Sequence, residues 1–147
     1  YEGTNGIQAI DLVTRKLPLR DGEVVAQMIA EMRQTVEGLP GVMSGAAQTL
    51  SKVIDALDRA TGFMIEALTR NPADALAGAT PYLRLFALAL GGVVLSREAK
   101  ADQSGSTLRA DKARFFASHL ANGAEGLAKA AMAGSDALGS HSFGMSA

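Results

Sequence analysis

The sequence predicts an all-α protein, an antiparallel four-helix bundle preceded by a short helix. Three observations carry that expectation. Residues that lose little on entering a helix, chiefly Ala, Leu, Met, Gln, Arg and Lys, dominate the composition. β-Branched residues never form an alternating run of strand length. Clusters of Pro and Gly divide the chain into segments in which apolar residues recur every three or four positions, the spacing of one helix face.

A first short helix is expected over about residues 6–17, with Ile7, Ile10, Leu12, Val13 and Leu17 apolar. Asn5 with Gln8 three positions later has the spacing of a capping box. Pro18 ends that helix because its ring disfavours helical geometry in the residue before it. Asp21 or Gly22 starts the second helix, in which Val24, Val25, Met28, Ile29, Met32 and Val36 form one face. Gly38, Pro40 and Gly41 stop it.

The third helix extends to about Arg70, with Leu50, Val53, Ile54, Leu57, Phe63, Met64, Ile65 and Leu68 as its core-facing residues, and Asn71-Pro72 closes it. A short turn or helix over about residues 72–79 leads to Thr80-Pro81, where Thr fits a cap and Pro the first helical position. From there a long helix reaches about Ala101. Residues 102–107 read as a polar loop. Leu108, Phe115, Phe116, Leu120 and Leu127 then mark a last long helix to about Ala137, followed by a Gly/Ser-rich tail over 139–147. Gly45, Ala46, Ala47, Gly91, Gly92 and the Ala-rich run 128–133 are expected where helices approach closely.

With 147 residues the chain is large enough to bury a core without disulfides or metal. The absence of Cys suits a cytosolic protein without demanding one. Fourteen basic and fifteen acidic residues give a net charge of −1, with no long run of one sign, which argues against a nucleic-acid surface. The most apolar stretch, residues 82–95, is interrupted by Arg84 and falls short of the roughly 20 residues of a membrane span, so it reads as a buried core helix. The chain opens inside a motif with no initiator Met, as expected of a piece of a longer protein.

That opening motif carries the chemistry. Glu2 stands immediately before a Gly3-Thr4-Asn5-Gly6 turn that leads into a helix. A carboxylate so placed can serve as a base, and a helix N-terminus offers free N–H groups to phosphate or ribityl oxygens. On spacing alone such residues usually form a solvated, capped turn, and they leave open a helical interaction module or a free-standing helical binding protein.

The string Tyr1-Glu2-Gly3-Thr4-Asn5-Gly6-Ile7-Gln8-Ala9, followed by Asp11-Leu12-Val13 and Arg15-Lys16-Leu17, resembles the catalytic glutamate motif and following helix of acyl-CoA dehydrogenases. Pro81-Tyr82-Leu83-Arg84-Leu85-Phe86 with Gly91-Gly92, Ala113-Arg114-Phe115-Phe116-Ala117 with His119-Leu120, and Ala133-Gly134-Ser135 are similar to a helical C-terminal extension. That extension marks a bacterial subgroup that includes 3-methylmercaptopropionyl-CoA dehydrogenases.

The resemblance implies that Glu2 removes the α-proton of an acyl-CoA thioester, with its backbone N–H helping to hold the carbonyl. It implies that Tyr1 lines the acyl pocket, that Gly3 lies against substrate and that Thr4, Asn5 and Gly6 touch FAD. Electrons would pass to an electron-transfer flavoprotein, and a cytoplasmic homo-oligomer is expected. Residues 1–17 would then end the catalytic core, residues 18–138 form a helical extension and residues 139–147 a loose tail. The N-terminal helical domain and β-domain that hold most of the flavin in that family are not in this sequence, so the fragment alone is expected to be inactive.

Other candidates carry less. His119 and His141 share no metal-ligand spacing. Ser135-Asp136 and Ser140-His141 lack the strand-to-helix elbow of a hydrolase nucleophile. Gly123, Gly126, Gly134 and Gly139 lack the preceding strand of a dinucleotide fingerprint and suggest close packing or fraying. Arg84 must find a carboxylate, a carbonyl or solvent; a structural pair with Asp55, Asp58 or another acid is expected, and a CoA phosphate is the alternative partner.

Overall fold

A computed structural model describes residues 3–102 and 107–138. Seven α-helices lie in that range: α1 (Gly3–Asp11), α2 (Glu23–Glu37), α3 (Ser44–Arg70), α4 (Pro72–Ala77), α5 (Ala79–Ala101), α6 (Leu108–Phe115) and α7 (Ala124–Ala131). No strand occurs among the described residues. The bundle is formed by α2, α3, α5 and the α6–α7 pair. Residues near the end of α2 meet the first half of α3 (Arg33 with Asp55 and Asp58), while Leu50 and Thr61 of α3 meet Gly92 and Tyr82 of α5. Phe116 after α6 lies on Gly91, and Ala131 at the end of α7 lies on Gly78. These pairings make successive long elements antiparallel, as expected. α5 packs against α1, α2, α3, α6 and α7 and is the central helix.

The first helix begins at Gly3 rather than near Gly6, so Asn5 sits within the helix and does not cap it. A π-helical turn over Leu12–Lys16 continues it, closed by Leu17 N–H donating to Leu12 O at 2.9 Å. The wider turn keeps Leu17 in line with Ala9 and Val13, and all three are buried in the common core. The second helix starts later than expected because Arg20, Asp21 and Gly22 all have positive φ (50°, 55° and 88°). A left-handed conformation costs about 1–2 kcal/mol for each residue that carries a Cβ, so this corner is held by what surrounds it. Gly22 escapes that penalty, and a Cβ there would also meet Ile65 Cδ1 at 2.8 Å.

Asn71 is extended ahead of Pro72, as a residue before proline should be. The helix expected to be capped by Thr80 starts two residues earlier, at Ala79, with Gly78 at the cap position. Gly78 O accepts from Tyr82 N–H at 3.0 Å, and Pro81 falls in the first turn, where its missing donor is no loss. α5 is long and apolar enough to cross a membrane by length and composition. Its Tyr82, Leu85, Ala89, Gly92, Val93 and Ser96 are buried in the bundle, as a core helix requires.

The last helix is not continuous. A π-turn (Phe116–Leu120) and a 3₁₀ turn (Ala121–Gly123) separate α6 from α7, and another 3₁₀ turn covers Asp136–Leu138. Within the break, Ser118 Oγ donates to Arg114 O and Asn122 Nδ2 to Ser118 O, side-chain bonds of the kind that bend helices. The break aligns Ala113, Ala117, Ala121, Ala124, Ala128 and Ala131, which form the buried stripe. Leu108, Phe115 and Leu120, the residues that mark this segment in the sequence, face outward at 59%, 58% and 52% exposure. Gly134 (φ 75°) turns the chain away beyond α7.

Close approach is concentrated at Gly78 and Gly92. A Cβ on Gly78 would strike the carbonyl oxygen of Ala131, and one on Gly92 would strike Leu50. Gly45, Gly123 and Gly126 have open space where a Cβ would sit, so the expectation of packing fails there. One buried polar couple bridges α3 and α5. Tyr82 OH lies 2.8 Å from Thr61 Oγ1, which itself bonds Leu57 O at 2.8 Å, and burial pushes the Tyr82 phenol up to about 12.

Candidate functional site

The opening motif divides across the described range. Tyr1 and Glu2 lie outside the described residues, whereas Gly3, Thr4, Asn5 and Gly6 form the first turn of α1. Residues that open a helix have N–H groups without intrahelical acceptors, and residues 3–6 open the described part of α1. Gly3, Thr4 and Asn5 are exposed and Gly6 is half-buried. Gly3 and Gly6 have nothing within 4 Å of a built Cβ. The other end of the helix is anchored, since Val13 and Leu17 are fully buried. The motif is therefore held outward on a fixed support. It offers N–H groups, one hydroxyl and one amide, a donor set that fits phosphate or ribityl oxygens of a flavin.

The motif does not enclose a cavity. The pocket nearest α1, of about 190 Å³, lies at its far end between Leu12, Leu17, Val24, Met28 and Phe86. A larger one of about 370 Å³ lies between the end of α2 and the start of α3, walled by Val36, Leu39 and Ile54 with Arg33 at its edge. Neither touches residues 3–6, so a flavin at the motif would take most of its contacts from other parts of a protein.

The remaining sequence candidates are placed in structural roles. Arg84 is exposed and does not pair with Asp55 or Asp58, because its position on α5 turns away from α3. Both acids instead hold Arg33, whose guanidinium bonds Asp58 Oδ2 at 2.7 Å and Asp55 Oδ1, and whose pKa is raised chiefly by the Asp55 bond. His119 is stacked on Phe115 with ring centroids 4.3 Å apart, and no metal-binding cluster of acids and histidines occurs among the described residues. His141 and Ser140 lie outside the described residues. Ser135 is engaged: its N–H and hydroxyl donate to Asp74 Oδ1 at 2.8 and 2.6 Å. These bonds hold the Asp74 carboxyl below its ordinary range and tie the segment after α7 to α4. That tie bridges 61 positions and left no signal in the sequence.

A protein family described as acetyl-CoA dehydrogenase C-terminal like matches residues 28–140, which covers the bundle from α2 onward. The chain belongs to that family. It is also similar to 3-methylmercaptopropionyl-CoA dehydrogenase of Ruegeria pomeroyi, with 36% identity over 89 residues, 58% of this chain and 15% of that protein. The chain thus spans about 15% of the length of that relative. Both matches bear out the resemblance of the sequence to the C-terminal portion of acyl-CoA dehydrogenases. The family match begins at Met28, so the opening motif lies outside it.

Proposed function

We propose that the chain is the C-terminal end of an FAD-dependent acyl-CoA dehydrogenase, with Glu2 as the base that takes the α-proton of an acyl-CoA thioester. The observation that carries this is the outward-facing first turn of α1, anchored on a bundle of the family's C-terminal type. Bound FAD would accept the β-hydride, for which no side chain can substitute.

Glu2, next to Gly3 in the chain, would hold its carboxylate at the thioester α-carbon, and its backbone N–H would bond the carbonyl oxygen. Gly3, without a side chain, would let substrate approach the backbone, with Tyr1 against the acyl chain. Thr4, Asn5 and Gly6 would supply the few flavin contacts that the exposed turn can make. Reoxidation by an electron-transfer flavoprotein, a cytoplasmic homo-oligomer and a division of the chain at residues 17 and 138 belong to the same reading. So does the inactivity of the 147-residue piece by itself.

The test is made on the full-length protein. Its intact mass should exceed that of the 147 residues, and its visible spectrum should be that of a bound flavin. Anaerobic mixing with a panel of saturated acyl-CoA thioesters, 3-methylmercaptopropionyl-CoA among them, should bleach the flavin. Glu2→Gln should keep the flavin spectrum and slow bleaching by about 10²–10⁴-fold, the usual contribution of a positioned base. Unchanged bleaching in that variant, or a flavin-free protein of 147 residues, would reject the proposal.

A further inference from the structure

α5 carries exposed Arg84, Arg97, Glu98 and Lys100, yet it also has large apolar residues that the described bundle leaves uncovered. Leu83, Ala87, Leu90 and Val94 fall at helical spacing on one stripe, where Leu90 and Val94 are 40% and 43% exposed. Two elements flank the stripe. On one side α1 packs along α5, its Leu12 turned toward α2 in the small pocket with Val24 and Val25. Ile7 and Ile10 of α1 are 66% and 46% exposed. On the other side Phe116 seats on Gly91, and Leu95, Leu108, Phe115 and Leu120 wall an open apolar groove of about 440 Å³. Exposed apolar residues thus occur on α1, α5 and α6, and α5 packs on both of the others, an arrangement that marks an interaction surface more often than a bare one.

We propose that this face docks the part of the same polypeptide that precedes Tyr1, which the proposed function identifies as the catalytic core, so the inference rests on that reading. Two features favour this occupant. The chain corresponds to 15% of its dehydrogenase relative, which leaves ample polypeptide to cover the face. The face also begins on α1, the helix that a preceding segment would enter, so such a segment is delivered beside Ile7 and Ile10. A covalently joined domain acts at an effective concentration of order millimolar, far above that of a second copy at ordinary protein concentrations. Docking there would fix α1, and with it the first turn that carries the Glu2 motif, against the rest of the active site.

The experiment is cysteine accessibility in the full-length protein. Ile10→Cys, Leu90→Cys, Val94→Cys and Phe115→Cys report on the face, with Leu76→Cys on α4 and Ala30→Cys on α2 as exposed controls; labelling of the unsubstituted protein is subtracted. Maleimide labelling at the four face positions should be slower than at the controls by at least about tenfold, as for groups that react only on local opening. It should stay so from about 10 µM down to about 10 nM protein, as mass action requires of an intramolecular contact. Equal rates at face and control positions would overturn the proposal, and protection that vanishes on dilution would assign the face to a second copy instead. Intact mass and flavin absorbance of the same samples judge the functional reading separately. A longer, flavin-free protein with a protected face would sink the dehydrogenase while keeping the docking, whereas a 147-residue mass would sink both.

Discussion

Both sides of α5 carry large apolar residues, in opposite surroundings. On the inner side Tyr82, Leu85, Ala89, Gly92 and Val93 are buried, whereas on the outer side Leu90 and Val94 are exposed. Apolarity alone therefore does not orient this helix, although its charged residues Arg84, Arg97, Glu98 and Lys100 are all exposed. Close packing adds to it: the inner side has glycine or alanine where a neighbour comes closest, with Gly92 under Leu50 and Ala89 fully buried. The first sharpening of the comparison is a matched pair. Leu85→Ala should destabilise by about 2–5 kcal/mol through lost transfer energy and a residual cavity. Leu90→Ala should stay within about 1 kcal/mol in any form of the protein that leaves the outer side uncovered. Denaturant midpoints measure both, and equal losses would show that the outer side is packed.

A smaller effect is expected where the inner side meets backbone. At most helix positions an alanine in place of glycine stabilises, but at Gly78 the new methyl would meet the carbonyl oxygen of Ala131, which cannot rotate away. Gly78→Ala should therefore destabilise by about 1–3 kcal/mol, the range for overpacking, whereas Gly126→Ala, with open space around it, should be neutral or stabilising. Opposite signs from one substitution type would confirm that Gly78 sets the spacing of α5 and α7. A stabilised Gly78→Ala would refute it.

The inner side also carries a defect. Ser96 is fully buried, and its hydroxyl is the one buried side-chain polar atom among the described residues without a hydrogen-bond partner. Ser96→Ala removes that unpaired group and puts a better helix former in its place. A gain of up to about 1 kcal/mol is expected in thermal or denaturant unfolding. A loss of similar size would mean that the hydroxyl is bonded in solution.

The same contrast explains what could be read before the structure was seen. Helix order, the core of α2 and α3, and the close approach at Gly92 follow from local signals: apolar spacing, Pro and Gly positions, and small residues at a crossing. The last segment misled because its large residues, Leu108, Phe115 and Leu120, suggested a buried stripe while its alanines form it. Periodicity ranks residues by apolarity, and in a tight bundle the inward face is chosen by size. The corner at residues 20–22 was hidden for another reason, since Arg20 and Asp21 adopt positive φ through their surroundings rather than their own preference. Of the candidate site, the motif Glu2 to Gly6 was legible as a string, and its four described residues do lie together at a helix start. Pairings such as Arg33 with Asp55 and Asp58, or Ser135 with Asp74, join elements far apart in the chain and cannot be chosen among many acids without coordinates.

The smallest expected effect concerns how the chain is fastened beyond α7, where polar bonds replace apolar burial. Asp74 accepts two bonds from Ser135, and its carboxyl is held below the ordinary carboxylate range by those bonds, the hydroxyl first and the backbone N–H second. A carboxyl whose folded pKa is depressed contributes stability that is fully present above its unfolded value, near pH 4, and is lost as pH falls through the lower folded value. Comparison of the unsubstituted protein with Asp74→Ala should therefore show a constant difference in melting temperature above about pH 5 that shrinks as pH falls below about 4 and through the lower folded value. Ser135→Ala should reduce that difference without abolishing it, because the backbone N–H still donates. A gap between Asp74→Ala and the unsubstituted protein that persists unchanged into strong acid would mean that Asp74 supports the fold through packing, and that the carboxylate is not what holds this end of the chain to α4.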